Sequence, residues 1–393
     1  MTERICYACG ATAAAPATRC DCGEPLWLAS EPPDFDWNAV VDAPGMWRHA
    51  ELLPFDSPGG VADAAGGTPL LRLPRLDEFA GARFHLKNEG SNPTGSFKDR
   101  GSALGVAAAL DAGADGVGTV SHGNMAMSTA ANAASAGLDC VVLVPDDIPE
   151  SRIELISQYG PTLLRVRGDY AELYDRSLEL GDELEIPFLN SDVPLRVEGQ
   201  KTTALEICES FAPDVPDAIV LPVSSGGHAS GVWKALRELQ AAGAIEEVPR
   251  LYFAQAAACA PIAEAFAAGD DVVSAVEDGE TIAYSIANSD PPSGTRALAA
   301  ARETGGGVVA VDDDEIRAAR RALAEFGGLS VESASATSLA AIRRLAADGE
   351  LGEGDDVVAV ATGRGISESP PASEAASVAR VDIDELGERL ASR

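Results

Sequence analysis

Lysine is nearly missing from this chain: among 393 residues it occurs only at Lys87, Lys98, Lys201 and Lys234. Arginine supplies the other cations. Arginine stays protonated near neutrality and cannot act as an amine nucleophile, whereas a partly desolvated lysine can. Each lysine that remains therefore merits scrutiny. Positive charge is short overall, with 29 Lys+Arg against 62 Asp+Glu and a net charge of -33. Such a surface repels nucleic acid and anionic lipid, so neither is expected as a partner. Its acidity reads as adaptation to high salt, which screens the self-repulsion, and says little about substrate. No run approaches the ~20 apolar residues that a membrane span needs. The opening MTERICYACG has no basic stretch leading into an apolar one, so no signal peptide and a cytoplasmic location are expected. No internal repeat is visible.

What is present is sufficient for two domains with sizeable cores, since 46% of the residues are hydrophobic. Four of the seven cysteines open the chain, as Cys6-x-x-Cys9 and Cys20-x-Cys22. Each pair is soon followed by glycine, as in a small zinc ribbon, although the second pair is tighter than the common spacing. Structural zinc on Cys6, Cys9, Cys20 and Cys22 is the expectation, free thiols the alternative, and a reducing interior argues against disulfides. Cys140, Cys208 and Cys259 sit in apolar or helical contexts and read as small core residues.

From Thr68 onward short apolar runs alternate with helical stretches. Strands are expected at Val117–Val120, Cys140–Val144, Leu163–Val166, Pro187–Asn190, Ala218–Val223, Leu251–Gln255, Gly307–Val311 and Val357–Thr362. Helices are expected at Lys98–Ala112, Met125–Ala136, Pro149–Tyr159, Tyr170–Glu183, Lys201–Phe211, Ser230–Ala241, Asp313–Glu325 and Ser335–Ala347. This alternation predicts an α/β fold with a mostly parallel sheet and helices on both faces. Ligands then belong at the carboxyl ends of the strands. The loops in question are Asn88–Lys98, Ser121–Asn124, Asn190–Arg196, Ser224–His228 and Thr362–Gly365.

These loops carry the unusual sequence. Asn92-Pro93-Thr94-Gly95 reads as a turn, with Ser96 placed to cap the next helix. Lys98 then falls in the first helical turn, where the helix dipole disfavours its charged form. Ser121-His122-Gly123-Asn124 joins a strand to an apolar helix, and its glycine lets backbone approach a ligand. Ser224-Ser225-Gly226-Gly227-His228 follows an apolar strand and opens a helix, which makes an anion nest suited to phosphate. A dinucleotide fold is the competing reading, but its Gly-x-Gly-x-x-Gly fingerprint is missing. Thr362-Gly363-Arg364-Gly365 follows the last strand, and Asn190 to Thr202 forms a fifth distinctive run.

The lysine run resembles that of fold-type II pyridoxal-phosphate (PLP) enzymes, and NPTGSFKDRG is the form found in threonine synthases. The resemblance extends from about Thr68 to Gly365, with its motifs in family order. It implies a tryptophan synthase beta-like fold: two α/β domains, with the cofactor in the cleft. Residues 31–91 and 191–365 would form the larger domain and 92–190 the smaller, flanked by the 1–30 cysteine module and a peripheral acidic tail at 366–393.

The same resemblance implies site roles. Lys98 would be the catalytic lysine, in Schiff-base linkage with PLP. Asn124 would meet the phenolic oxygen, Ser224, Ser225, Gly226, Gly227 and His228 the phosphate, and Thr362 the pyridine nitrogen. Ser121 and His122 would hold the substrate carboxylate, and Asn190 and Arg196 its phosphate. An arginine fork suits a phosphate dianion. Glu332 would lie near the ring. The implied lyase reaction turns O-phospho-L-homoserine and water into L-threonine and phosphate, in threonine biosynthesis. A homodimer is the family habit. Met125 and Val193 replace a threonine and an asparagine, Arg364 replaces a histidine, and Ser224, Ser225 and His228 replace the usual Gly and Asn. The changes at His122, Met125, Val193 and Ser225 keep open a serine/threonine ammonia-lyase or a cysteate-synthase-like β-replacement enzyme.

Overall fold

The computed structural model describes residues 3–30, 35–121, 123–146, 148–168, 170–277, 279–368, 380 and 382–391. Half of the tail expected at 366–393, and His122, lie outside this set. Three sheets organise the chain. Strands β1 (Arg4–Cys6), β2 (Thr12–Ala13) and β3 (Leu26–Leu28) form a small antiparallel sheet in the cysteine module, in the order β2-β1-β3. Strands β6 (Gly116–Val120), β7 (Asp139–Pro145) and β8 (Thr162–Val166) form a parallel sheet. The large sheet contains β4 (Leu70–Arg72), β5 (Arg83–Asn88), β9 (Ala218–Pro222), β10 (Arg250–Ala256), β11 (Gly307–Val311) and β12 (Asp356–Ala361). Its order is β11-β10-β9-β12-β5-β4, parallel except for β4 at one edge.

Strand composition explains why this sheet is covered on both faces. In β9, Ala218 and Val220 point into one apolar layer, with Leu339 and Ile342 of the Ser333–Ala347 helix. Ile219 and Leu221 point into the other, with Leu205, Val232 and Leu298 from three further helices. A strand buried on both faces reads as a continuous apolar run, which is why β9 and β12 are conspicuous in the sequence. Strands β4 and β5 are not: β5 interleaves Arg83, His85 and Lys87 with its apolar residues. His85 reaches Asp356 on β12 at 2.9 Å.

Other departures are local. Pro187–Asn190 is not a strand but a single parallel bridge from Phe188 to Gly118. The run Asn190–Arg196 is not wholly a loop: a helix spans Pro194–Gln200, with proline at its first turn, where no backbone N–H is needed. Helices at Pro261–Ala268 and Gly294–Glu303 also escape the periodic pattern. Cys140, Cys208 and Cys259 are buried, as expected. Among the described residues, no helix is long and apolar enough to cross a membrane.

Three of the four lysines are buried, and Lys98 is half-buried. Lys87 pairs with Glu206 at 2.6 Å, beside Arg100, which contacts Glu89 at 2.7 Å and Glu206 at 2.6 Å. Each of these side chains is at most 1% exposed. Burial pushes the Glu206 carboxyl up, but Arg100 and Lys87 outweigh it and hold it well below the usual range. Lys201 and Lys234 share Glu198 and Glu238 in a second buried group. Burial alone would lower the Lys201 amine; the two carboxylates raise it to about 12. Two cations face two carboxylates in each cluster, so neither leaves a net charge in the core.

Candidate active site

Four of the singled-out loops meet around Lys98. The turn predicted at Asn92–Gly95 is present, with Gly95 N donating to Asn92 O at 2.9 Å. Asp99 braces it, accepting from Thr94 N at 2.7 Å and Thr94 Oγ1 at 2.8 Å. Lys98 is the first residue of the Lys98–Asp111 helix. Ser96 does not cap that helix as expected; its hydroxyl is buried and unpartnered. The Thr362–Gly365 loop is stitched to this turn, with Phe97 N donating to Thr362 O and Arg364 N to Gly95 O, both at 2.9 Å. The last strand thereby fixes the position of the lysine.

The Lys98 side chain is half-buried, with Nζ 4.4 Å from the centroid of the Phe97 ring. Burial and the nearby Arg196 cation lower its amine to about 7, against a smaller opposing pull from Glu332. A near-neutral amine is a base and a nucleophile. Glu332 lies opposite in chemical character. Burial pushes its carboxyl up to about 7, and an Asn124 hydrogen bond only partly opposes this. Asn124 Nδ2 donates to Glu332 Oε1 at 2.8 Å. Thr362 Oγ1 lies 3.0 Å from Ser335 Oγ, which also accepts from Gly363 N at 2.9 Å. Ser335 has no signal of its own in the sequence, because a serine inside an apolar helix looks like filler.

The nest at Ser224–Gly227 leads into the Gly227–Ala241 helix, which no side chain caps. Gly226 has φ +87°, and a Cβ there would lie 2.4 Å from Ser293 O. A Cβ on Gly227 would lie 2.4 Å from Ser191 O. Only glycine fits at either position. His228 is packed beneath the nest. Its ring stacks on Phe97 at 4.1 Å, and Nε2 lies 3.0 Å from Thr203 Oγ1. Burial lowers this imidazole to about 3, so it stays neutral.

The Asn190–Thr202 run is more deeply placed than its sequence suggests. Asn190 is fully buried; its Oδ1 accepts from Val120 N at 3.0 Å, and its Nδ2 donates to Ser177 Oγ at 2.8 Å. The amide therefore ties this segment to β6. Arg196 is also fully buried. It donates to Ser102 Oγ at 3.0 Å and to Lys98 O at 3.1 Å, with longer contacts to Thr129 Oγ1 and Leu189 O. Its Nε has no partner, and no carboxylate of the described residues pairs with it. Burial lowers even this guanidinium to about 10. Ser121 is buried and accepts from Gly123 N at 3.3 Å. Two of the replacements noted in the sequence, Met125 and Val193, are buried apolar side chains.

In the cysteine module the four sulfurs of Cys6, Cys9, Cys20 and Cys22 all lie within 4.8 Å of one another. Cys6 to Cys22 and Cys9 to Cys20 are both 3.6 Å apart. Four thiolates at ~2.3 Å around a tetrahedral zinc are ~3.8 Å apart, so the cluster has the size of a zinc site.

The pyridoxal-phosphate dependent enzyme family model matches residues 61–363. The threonine synthase of Methanocaldococcus jannaschii is 38% identical over 86% of this chain and 84% of its own length. That of Methanosarcina acetivorans is 38% identical over 82% of this chain and 80% of its own. Among solved structures, the serine racemase of Dictyostelium discoideum superposes with a TM-score of 0.62 at 25% identity, covering 76% of this chain and 92% of that one. With a nucleophile-competent lysine, a glycine nest and the shared fold on the same strand ends, this chain belongs to the pyridoxal-phosphate dependent enzyme family, alongside the threonine synthases.

Proposed function

We propose that the chain is a threonine synthase, converting O-phospho-L-homoserine and water into L-threonine and phosphate. One observation carries this reading beyond the likeness to relatives: Arg196, a buried guanidinium with no carboxylate partner, lies beside the reactive lysine. Every cation of the two buried clusters has a carboxylate in ion-pair contact; Arg196 has none among the described residues, and the buried Asp99 carboxylate acts on it only from beyond contact distance. A buried charge without a partner is costly, and a substrate phosphate would relieve that cost.

PLP fits the site. The uncapped helix and the crowded glycines form a cradle for its phosphate, and Ser96 Oγ and His228 Nδ1 are buried polar atoms without partners. In this reading Lys98 holds the cofactor, Asn124 and Thr362 present an amide and a hydroxyl to its ring, and Ser224–His228 receive its phosphate. When bound, the cofactor supplies the electron sink for carbon–hydrogen cleavage beside the substrate nitrogen. Lys98 Nζ, near-neutral at pH 7, removes the proton at Cα and returns protons along the chain. Asn124 holds Glu332, whose raised carboxyl keeps a proton beside the ring. Arg196 orients the phosphate that leaves Cγ. The two-domain division at 92 and 191 belongs to the same proposal, as does structural zinc on the four N-terminal cysteines. About one zinc per chain, lost with chelator, is the expected metal content.

Met125 and Val193 favour the second reading, a serine/threonine ammonia-lyase, because neither can hydrogen-bond a phosphate. One experiment separates the two. The protein is incubated at high salt with O-phosphohomoserine, threonine or serine, and phosphate, ammonia and 2-oxobutyrate are followed. Phosphate release from the first supports threonine synthase; ammonia and 2-oxobutyrate from threonine without phosphate release overturn it.

A further inference from the structure

Among the side chains that join the cysteine module to the active site, Arg19 reaches out from beside the cysteine cluster itself. Arg19 sits beside Cys20 on a hairpin closed by Cys20 N to Glu24 O at 2.9 Å and Leu26 N to Thr18 O at 3.0 Å. The hairpin turn is Cys20–Gly23, with Gly23 N donating to Cys20 O at 2.8 Å. It is short, and two of the four clustered sulfurs belong to it.

Arg19 reaches out of the module. Nη1 donates to Pro292 O at 2.9 Å, and Nη2 meets Asp192 Oδ2 at 3.2 Å. Asp192 is 4% exposed and accepts also from Ser293 Oγ at 2.9 Å and from the Tyr174 hydroxyl. It is therefore a node. Tyr174 belongs to the Tyr170–Leu184 helix that follows β8, and Asp192 stands two residues before the Arg196-bearing helix. Ser293 backs the nest: its N–H donates to Ser225 O at 2.9 Å, and its carbonyl is the atom that crowds Gly226. From the Gly294–Glu303 helix, Arg296 Nη2 donates to Ser293 Oγ at 2.8 Å while Nη1 reaches back to Pro25 O and Leu26 O of the module.

We propose that Arg19 is a positioning residue: through Asp192 and Ser293 it sets the nest against the Arg196 segment, and the metal-filled cysteine cluster holds Arg19 in that role. The proposal rests on the functional reading above, because it concerns how a substrate phosphate is received. Arg19 does not contact substrate or cofactor. It aligns the two anion-binding parts, and misalignment weakens substrate binding before it slows chemistry. What is lost is the one cation among the described residues in ion-pair contact with the buried Asp192 carboxylate, with Arg296 left to act on it from further away.

The test uses holoenzyme carrying Arg19→Ala, Arg19→Lys or Asp192→Asn. KM and kcat for O-phosphohomoserine, the visible absorbance of bound cofactor, and the dissociation constant of inorganic phosphate by calorimetry are compared with wild type. Arg19→Ala should raise KM and weaken phosphate by about tenfold, with kcat within about threefold and the cofactor band unchanged. Arg19→Lys should recover part of the affinity. The Arg19→Ala/Asp192→Asn pair should be no worse than Asp192→Asn alone. Chelator should raise the wild-type KM by a similar factor and leave Arg19→Ala unmoved. A wild-type KM and phosphate affinity in Arg19→Ala, or equal chelator sensitivity in that variant, overturns the proposal. If wild type releases no phosphate but deaminates threonine, the functional reading fails instead, and the same KM comparison on threonine then decides the role of Arg19.

Discussion

Replacing Arg196 by methionine removes a buried charge while keeping most of the side-chain volume. Two effects follow from the structure. A substrate phosphate loses its charge-assisted fork, and an unpaired buried anion typically costs ~2–5 kcal/mol. Since ~1.4 kcal/mol is a factor of ten, kcat/KM for O-phosphohomoserine should fall by about 30-fold or more. The second effect concerns Lys98. Arg196 is one of the causes that lower the Lys98 amine to about 7, and its guanidinium lies 3.1 Å from Lys98 O. Without it the Lys98 amine should ionise at higher pH, visible in the cofactor-free protein as a shifted pH dependence of amine acylation. Arg196→Lys keeps the charge and so the Lys98 behaviour, but a point charge cannot copy the fork, and it should recover only part of kcat/KM. Steady-state phosphate release and the acylation profile are the assays, with circular dichroism to check the fold. An unaltered kcat/KM in the methionine variant would refute the assignment of Arg196 to the substrate phosphate. An unshifted acylation profile would refute the electrostatic link to Lys98.

Lys98→Ala should abolish the visible band of lysine-linked cofactor and all turnover; a band that persists in the variant sinks the assignment of Lys98. Gly226→Ala forces a side chain to φ +87° with its Cβ 2.4 Å from Ser293 O, so cofactor should be retained at least about tenfold more weakly, read by dialysis and absorbance. Glu332 gives a pH signature in the cofactor-free protein. Its folded carboxyl is raised from the ordinary 4.5 to about 7, so the folded state keeps a proton that the unfolded chain has lost. Stability should therefore fall as pH rises from about 4.5 to about 7, by up to ~3 kcal/mol, and Glu332→Gln should flatten that slope in denaturant titrations. An identical slope in the variant would mean that Glu332 ionises normally.

The parts of the site that are legible in the sequence are contiguous ones. Asn124, the nest and Thr362 each lie at the end of an apolar strand or in the turn that follows one, Lys98 follows the Asn92–Gly95 turn, and short-range turn chemistry marks them. The parts that are not legible depend on distant pairings. Asp192 meets Arg19 across 173 positions of sequence, and Glu206 meets Lys87 across 119. Nothing local distinguishes such a carboxylate from one on a solvated face. The helix at Pro194–Gln200 is hidden because its proline and glycine look like loop punctuation, and Arg196 therefore reads as a loop residue although it is fully buried. Strand β5 is hidden by its three basic side chains, two of which, His85 and Lys87, find buried or half-buried partners only in the folded sheet.

The interior placement of the lysines has a chemical consequence. Lys87, Lys201 and Lys234 are locked in ion pairs and nearly unexposed. Lys98 alone combines partial access with a near-neutral amine. Apart from the α-amino group, the native cofactor-free protein should therefore behave towards acylating reagents as a molecule with one lysine. A stoichiometric amine label would then serve as an active-site titrant, and bound cofactor would block it.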